Sequence, residues 1–486
     1  MENNLENLGK RSIKGGFWVF SIRIIGNGFG IVRLIILARI LAPEDFGVMG
    51  IAMLTMTVLE TFSQTGFHAA LVQKKTNIKP YLNAAWTFLV IRGFIIFAIL
   101  FFSAPLVSIF FKSPLAKPVI QVLGIYAVIQ ALTNIGVVYF EKELEFNKQF
   151  IFKISGTIVD LFVSIILSIL LKSVWALVYG LLAGQITLLF VSYIIHPFRP
   201  KLSFNWKQVK ELFGFGKWIL GSSILGFIVK QGDDIVVGKV ISASALGLYQ
   251  MAFRLSNLPA TEITQVISKV TFAAYSKIQD NVARLRNAFT RTLRMVSFVS
   301  FPLGGGMFII AAETIRVFLG DKWMPMVPAF QILCLTGVLR SITANFGSVF
   351  NSTGRPDIQT KASLINTLVI IITIYPLVKH FGIVGAVYSR MLTFITQFYT
   401  WPKVLKILQM KLKDILKTFL LPLISTLVMI LAVFMAKNIF HRLNLVNVLS
   451  LIGVGMVVYF TVLFLLDKIF NYGIKEELRA IVKGFK

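Results

Sequence analysis

The sequence predicts an all-α polytopic membrane protein of about 14 transmembrane helices: two six-helix lobes related by an internal repeat, plus two C-terminal helices. Three observations carry this expectation. Hydrophobic residues make up 56% of the 486 positions and charged residues only 14%, with a mean hydropathy of +0.79, which exceeds what a soluble globular chain carries. Apolar runs near or above the roughly 20 residues that cross a bilayer as a helix recur fourteen times. A 200-residue echo then pairs Gly16, Trp18, Gly26, Ile35, Gly47, Ala52 and Thr61 with Gly216, Trp218, Gly226, Ile235, Gly247, Ala252 and Thr261. Two similar membrane halves with basic residues inside apolar segments make a transporter the first functional class to consider.

The runs fall at 14–39, 47–70, 84–111, 118–140, 152–171, 174–196, 214–238, 247–272, 288–318, 327–350, 358–378, 382–402, 416–436 and 446–466. They are continuous and long, whereas a membrane β-barrel shows segments of about ten residues that alternate apolar and polar. The first nine residues are polar and acidic and no small-residue cleavage site follows, so the first helix is expected to be retained. Residues 1–196 are read as the N-terminal lobe and 214–402 as the C-terminal lobe, with a basic cytoplasmic connector at 197–213. Phe204, Val209, Leu212 and Phe213 alternate there with Lys201, Lys207 and Lys210, a pattern expected of a short amphipathic segment on the inner headgroups, while a plain link between the two lobes is the simpler reading. Residues 403–470 hold two additional spans, and 471–486 an amphipathic cytoplasmic tail with Ile474, Leu478, Ile481 and Val482 at helical spacing. Equal orientation of the two halves gives a parallel repeat about an axis along the membrane normal.

Orientation follows from the basic residues. With both termini cytoplasmic, 32 Lys and Arg lie on the inner side, 10 on the outer side and 7 within spans. A multi-pass protein of the cytoplasmic membrane is expected. The net charge of +28 is mostly explained by this asymmetry, so anionic lipid headgroups are the expected partners and nucleic acid is not. The single cysteine, Cys334, permits no intramolecular disulfide. The chain carries no Walker sequence, no metal-ligand cluster and no Ser-His-Asp grouping, and no extramembrane stretch exceeds about 20 residues, so neither an enzyme nor a cofactor is expected.

Charges inside spans cost several kcal/mol unless they face a cavity or a partner, so each is a candidate for function. The basic ones are Arg23, Arg33, Arg92, Lys230, Arg254, Arg340 and Arg390, and the acidic ones Glu60, Asp160, Asp233, Asp234 and Glu262. Their balance is cationic, which favours an anionic solute. On the first helix Arg23, Gly26, Asn27, Gly30 and Arg33 form one stripe, and on the seventh Gly226, Lys230, Asp233 and Asp234 form its counterpart. If these two helices meet, Arg33 stands opposite Asp233 or Asp234, where a salt bridge would close an outer gate. Arg23 lies too deep to snorkel and is read as a reader of phosphate oxygens. Arg92 and Lys230 are open to snorkelling or static pairing as well as to function. Arg340 and Arg390 extend the basic lining of the second half. Glu60, Gln64 and His68 share one face of the second helix, and Arg254 and Glu262 lie two turns apart on the eighth. Glu60 and Glu262 serve either as protonation sites or in helix packing, and His68 is a candidate ligand or relay. Asp160 is expected to pair with an arginine of its own lobe. Gly214, Gly216, Gly221 and Gly226 are expected to loosen the seventh helix, and Phe301 to Gly306 to interrupt the ninth, for bending or for close packing.

Four stretches carry a family resemblance. Residues 36–50 (ILARILAPEDFGVMG), 65–75 (TGFHAALVQKK), 319–328 (LGDKWMPMVP) and 351–356 (NSTGRP) resemble the polysaccharide flippases of the multidrug/oligosaccharidyl-lipid/polysaccharide exporter superfamily. The resemblance is strongest to the fourteen-helix type associated with colanic-acid, exopolysaccharide and teichuronic-acid export. It implies twelve core helices in two lobes, a central cavity open to one side at a time, and export of undecaprenyl-pyrophosphate-linked oligosaccharide to the outer leaflet. It also implies polysaccharide polymerase and chain-length machinery as candidate partners. Arg23 and Arg254 match, by helix and rough depth, the cavity arginines that related lipid-II flippases use for the pyrophosphate. A cation-coupled small-molecule exporter of the same superfamily remains an alternative, as does a membrane-embedded polymerase or glycosyltransferase.

Overall fold

The computed structural model describes the backbone of residues 2–439 and 444–470; the side chains of 2–14, 16, 213–225, 228–229 and 258–270 lie outside the described set. The expected tail with Ile474, Leu478, Ile481 and Val482 lies outside the described residues. Every described regular element is helical, and the chain divides into two compact units, Met1–Gly247 and Leu248–Lys486. Ten described helices are long and apolar enough to cross a membrane, or eleven counting one bent pair.

In the first unit, α1 (Glu2–Ile40) ends just ahead of Pro43, whose fixed φ suits the first turn of α2 (Pro43–Phe62). The Asp45 carboxylate accepts the Ala42 N–H at 2.9 Å and caps that start. The second span then breaks over residues 63–66, where Gly66 takes a left-handed φ of 66°, and resumes as α3 (Phe67–Gln73). Next come α4 (Lys79–Phe111) and α5 (Ala116–Leu132), followed by a 66° bend into a 3-10 turn and α6 (Val138–Lys142). Asn134 fixes that bend, its Oδ1 accepting the Gly136 N–H at 2.9 Å.

The pair α7 (Phe146–Leu171) and α8 (Trp175–Ile195) packs closely because small residues face each other: a Cβ on Gly184 would stand 2.8 Å from the Gly156 carbonyl oxygen. α1 lies along α7, and α5 packs on α4 and α8.

The long helix α9 (Trp206–Val240) starts inside the expected connector, with Asn205 Oδ1 accepting the Gln208 N–H at 3.3 Å. Val209 and Leu212 are buried in a cluster with Phe67, Leu71 and Leu82. The second half of 197–213 is therefore the first turns of α9, which pack on α3 and α4 through Val209 and Leu212. The Lys74 ammonium reinforces this seat, 2.5 Å from Glu211 Oε1. Together with a hydrogen bond from Tyr81, it holds the Glu211 carboxyl below its usual range.

The boundary between the units falls within α10 (Ala243–Ile278), whose first turn belongs to the first unit; in the second unit its remainder leads to α11 (Val282–Ile309), α12 (Ala311–Phe318) and α13 (Val327–Ser352). Contrary to expectation, α11 runs unbroken through Pro302 to its end at Ile309. Its glycines serve packing instead: a Cβ on Gly304 would stand 3.2 Å from the Cys334 carbonyl oxygen on α13, and one on Gly305 2.6 Å from the Thr426 methyl. The next stretch, α14 (Pro356–Leu392), is interrupted at Gly382 (φ 60°, ψ −139°), and α15 (Gln397–Leu408) follows. The expected eleventh and twelfth spans thus share residues 356–408, divided at a glycine. Finally α16 (Leu412–Lys437) and α17 (Leu445–Phe470) pack on each other and on α11, where the Tyr459 hydroxyl donates to the Phe298 carbonyl at 2.9 Å. The 35-residue α9 and 36-residue α10 carry the seventh and eighth expected spans; part of each lies among the side chains outside the described set.

Candidate functional site

The charged residues singled out in the first unit are drawn into internal pairs. Arg33 on α1 approaches Asp160 on α7 to 2.9 Å, each side chain about a fifth exposed (21% and 19%). Ser164, one turn further along α7, accepts from Arg33 Nη2 at 3.0 Å and donates to Asp160 Oδ1 at 2.9 Å. On α8, Gly180 leaves the room for this arrangement, since a Cβ there would overlap the Ser164 hydroxyl. The expected partner of Arg33, Asp233 or Asp234, is therefore corrected to Asp160. The reason is packing: α1 lies on α7, whereas α9, which carries both acids, lies on α2, α3 and α4.

Arg92 on α4 does not snorkel. Its Nε donates to Ser63 Oγ at 2.9 Å and its Nη2 to the Glu60 carbonyl at 3.0 Å, so the guanidinium caps the last turn of α2 where the second span breaks. His68 sits beyond that break, exposed, with Nε2 3.8 Å from Glu141. Elsewhere in the unit, Arg23 is half-buried and Asn27 exposed on α1, while α9 presents Lys230 exposed, Asp233 buried at 2% exposure and Asp234 half-buried.

In the second unit, two arginines meet on one aromatic ring. Arg390 from α14 and Arg340 from α13 place their guanidinium carbons 4.3 and 5.7 Å from the centroid of Phe253 on α10. Arg390 Nε donates to the Tyr249 hydroxyl at 3.1 Å, and Arg340 Nη2 donates to Asn257 Oδ1. Tyr249, Phe253 and Asn257 lie at i, i+4 and i+8, so one face of α10 holds both cations. The electron-rich ring face offsets part of the repulsion between them, each contact worth about 1 kcal/mol. Arg254, the next residue after Phe253, is exposed, as a helix turns by about 100° per residue. Glu262 lies outside the described residues.

Arg340 and Arg390 were thus legible as separate candidates, while their organisers Tyr249, Phe253 and Asn257 were not singled out. The four-residue spacing of two aromatics and an amide was the available signal. Among the described residues no group of His, Cys, Asp and Glu could hold a metal ion.

A family model described as polysaccharide biosynthesis protein matches residues 36–328. The chain belongs to that family. It is 26% identical over 367 residues to the lipopolysaccharide biosynthesis protein WzxC of Escherichia coli K12, covering 75% of each chain. It is also 26% identical to a membrane protein of the cps region of Klebsiella pneumoniae, over 94% of this chain and 95% of the other. Among solved structures, the lipid II flippase MurJ in an inward closed conformation aligns with a TM-score of 0.75 at 17% identity, over 94% of this chain and 99% of that one. At that identity the likeness establishes the shared fold of a multi-pass, all-helical membrane protein.

Proposed function

We propose that this chain is a flippase that moves undecaprenyl-pyrophosphate-linked oligosaccharide repeat units from the inner to the outer leaflet of the cytoplasmic membrane, for cell-surface polysaccharide synthesis. The observation that carries this reading is the gathering of Arg340 and Arg390 on the Phe253 ring, within a chain of the polysaccharide biosynthesis family. A pyrophosphate needs closely spaced planar donors with fixed orientation, and arginine supplies them as lysine does not. Relatives named for teichuronic acid synthesis in Bacillus subtilis and succinoglycan transport in Rhizobium meliloti support a glycan cargo.

In this reading Arg340 and Arg390 take the diphosphate, Arg23, Lys230 and Arg254 contribute to the cationic path, and the Asn27 amide offers a neutral polar contact to the substrate. Asp233, Asp234 and Glu60 are the acids assigned to coupling. Both termini face the cytoplasm, as the distribution of basic residues suggests. Alternating access lets the charged headgroup cross about 30 Å of hydrocarbon without meeting lipid.

Proteoliposomes holding the purified protein and a lipid-linked oligosaccharide test the reading. Inner-leaflet substrate is expected to become accessible to a membrane-impermeant lectin faster than in protein-free vesicles, and the Arg340→Gln/Arg390→Gln variant to slow this at least tenfold. Equal accessibility with and without protein would refute it.

A further inference from the structure

Inside the first unit, residues of α3 to α8 line an open cavity of about 470 Å³ that the reading above does not use. This lies within the roughly 300–1,000 Å³ of small-molecule sites. Leu89, Ile96 and Leu188 supply apolar wall, and Arg92, Gln130 and Gln185 supply polar groups. Arg92 lies thirteen residues into α4, about 20 Å along the helix at 1.5 Å per residue. Its bonds to Ser63 and the Glu60 carbonyl use Nε and Nη2, which leaves Nη1 for a ligand in the cavity that Arg92 lines.

We propose that this cavity is a binding site for a lipid phosphate, with its phosphate on Arg92 and the adjoining hydrocarbon along Leu89, Ile96 and Leu188. Two features select that class. A guanidinium anchored through two of its nitrogens keeps a fixed orientation, which suits a phosphate oxygen. The apolar wall rewards a chain by about 0.8 kcal/mol for each methylene it removes from water, which a free anion or a bare sugar cannot use. The Gln130 and Gln185 amides then serve the ester and hydroxyl oxygens of the headgroup.

The test uses full-length protein carrying Arg340→Gln and Arg390→Gln, so that binding is read apart from the proposed diphosphate site. Native mass spectrometry follows titration with phosphatidylglycerol, with a short-chain polyprenyl phosphate, and with inorganic phosphate. One bound lipid phosphate is expected, and its dissociation constant should rise at least tenfold on adding Arg92→Gln or Gln130→Trp. Gln130 is exposed, so an indole there fills the cavity without removing the Arg92 cap, and this variant decides the matter if Arg92→Gln fails to fold. A preference for phosphatidylglycerol identifies a membrane phospholipid as the source, and a preference for polyprenyl phosphate identifies a carrier lipid. Inorganic phosphate binding as tightly as either lipid, no bound lipid, or lipid binding unchanged by Gln130→Trp would each overturn the proposal. Lipid binding retained while the double arginine variant loses transport separates this site from the flippase reading.

Discussion

Gly47 and Gly247 meet where the first turns of α2 and α10 touch: a Cβ on Gly247 would stand 2.9 Å from the Gly47 backbone nitrogen and overlap the Pro43 carbonyl oxygen. A Cβ on Gly47 would in turn overlap the carbonyl oxygen of Ala243. The two clashes, 47 with 243 and 247 with 43, are exchanged by the 200-residue offset of the sequence echo. Equivalent glycines therefore make equivalent contacts, as a local pseudo-twofold contact requires.

Backbone cannot yield as a flexible side chain does, so Gly47→Val and Gly247→Val are each expected to destabilise the protein by about 1–3 kcal/mol. The double variant should cost less than the sum of the two, because one separation of the helices relieves both clashes. Thermal unfolding in detergent checks this, and strict additivity would show that the two contacts are independent.

For Arg33 and Asp160 the sign of each substitution follows from burial. Asp160→Asn strands a largely buried guanidinium and should cost about 3 kcal/mol, with Arg33→Gln costing a similar amount by stranding the carboxylate. Arg33→Met with Asp160→Leu removes both charges and should be milder than either single change. Denaturation midpoints of the four proteins test the order, and a double variant worse than both singles would contradict it.

The helical class and most of the spans were legible because long apolar runs need no partner to be recognised, and the gap in the pattern around Pro43 marked a real boundary. What escaped were features set by contacts between helices. The partner of Arg33 depends on which face of α1 lies on α7, and no spacing within α1 encodes that. The break at residues 63–66 is stabilised by Arg92, thirty residues away, so the local sequence alone did not announce it. The Pro302 to Gly306 stretch looked like a hinge, yet glycine also permits close helix packing, and there the neighbours on α13 and α16 decided in favour of packing.

His196 gives a pH prediction. Its Nδ1 accepts the Phe198 N–H at 3.1 Å, and its ring stacks on Tyr139 with centroids 5.5 Å apart. Burial, then the nearby Lys148 and Arg199 against an opposing Glu145, holds the imidazole below its ordinary value of 6.5. A group with a depressed folded-state pKa contributes stability that is present above the unfolded value and lost as pH falls through the folded one. The protein should therefore lose thermal stability on acidification from about pH 7 to about pH 5, and His196→Gln should flatten that slope. A slope identical in the variant would assign the acid sensitivity to other groups.

The Phe253 cluster yields the sharpest functional expectation. Phe253→Leu keeps the apolar volume but removes the ring face on which both guanidiniums rest, so each loses about 1 kcal/mol of orientation. Binding of a diphosphate lipid should weaken about tenfold or more if both contacts contribute. Phe253→Tyr preserves the ring face and should stay within about twofold of the parent. Tyr249→Phe removes the acceptor for Arg390 Nε, and a hydrogen bond to a charged group is worth about 1.5–3 kcal/mol, so its loss should also exceed tenfold. Isothermal titration with a soluble short-chain diphosphate analogue ranks the three variants. The reading requires Phe253→Leu and Tyr249→Phe to fall together while Phe253→Tyr does not, because a merely structural role for the ring would be satisfied equally by leucine.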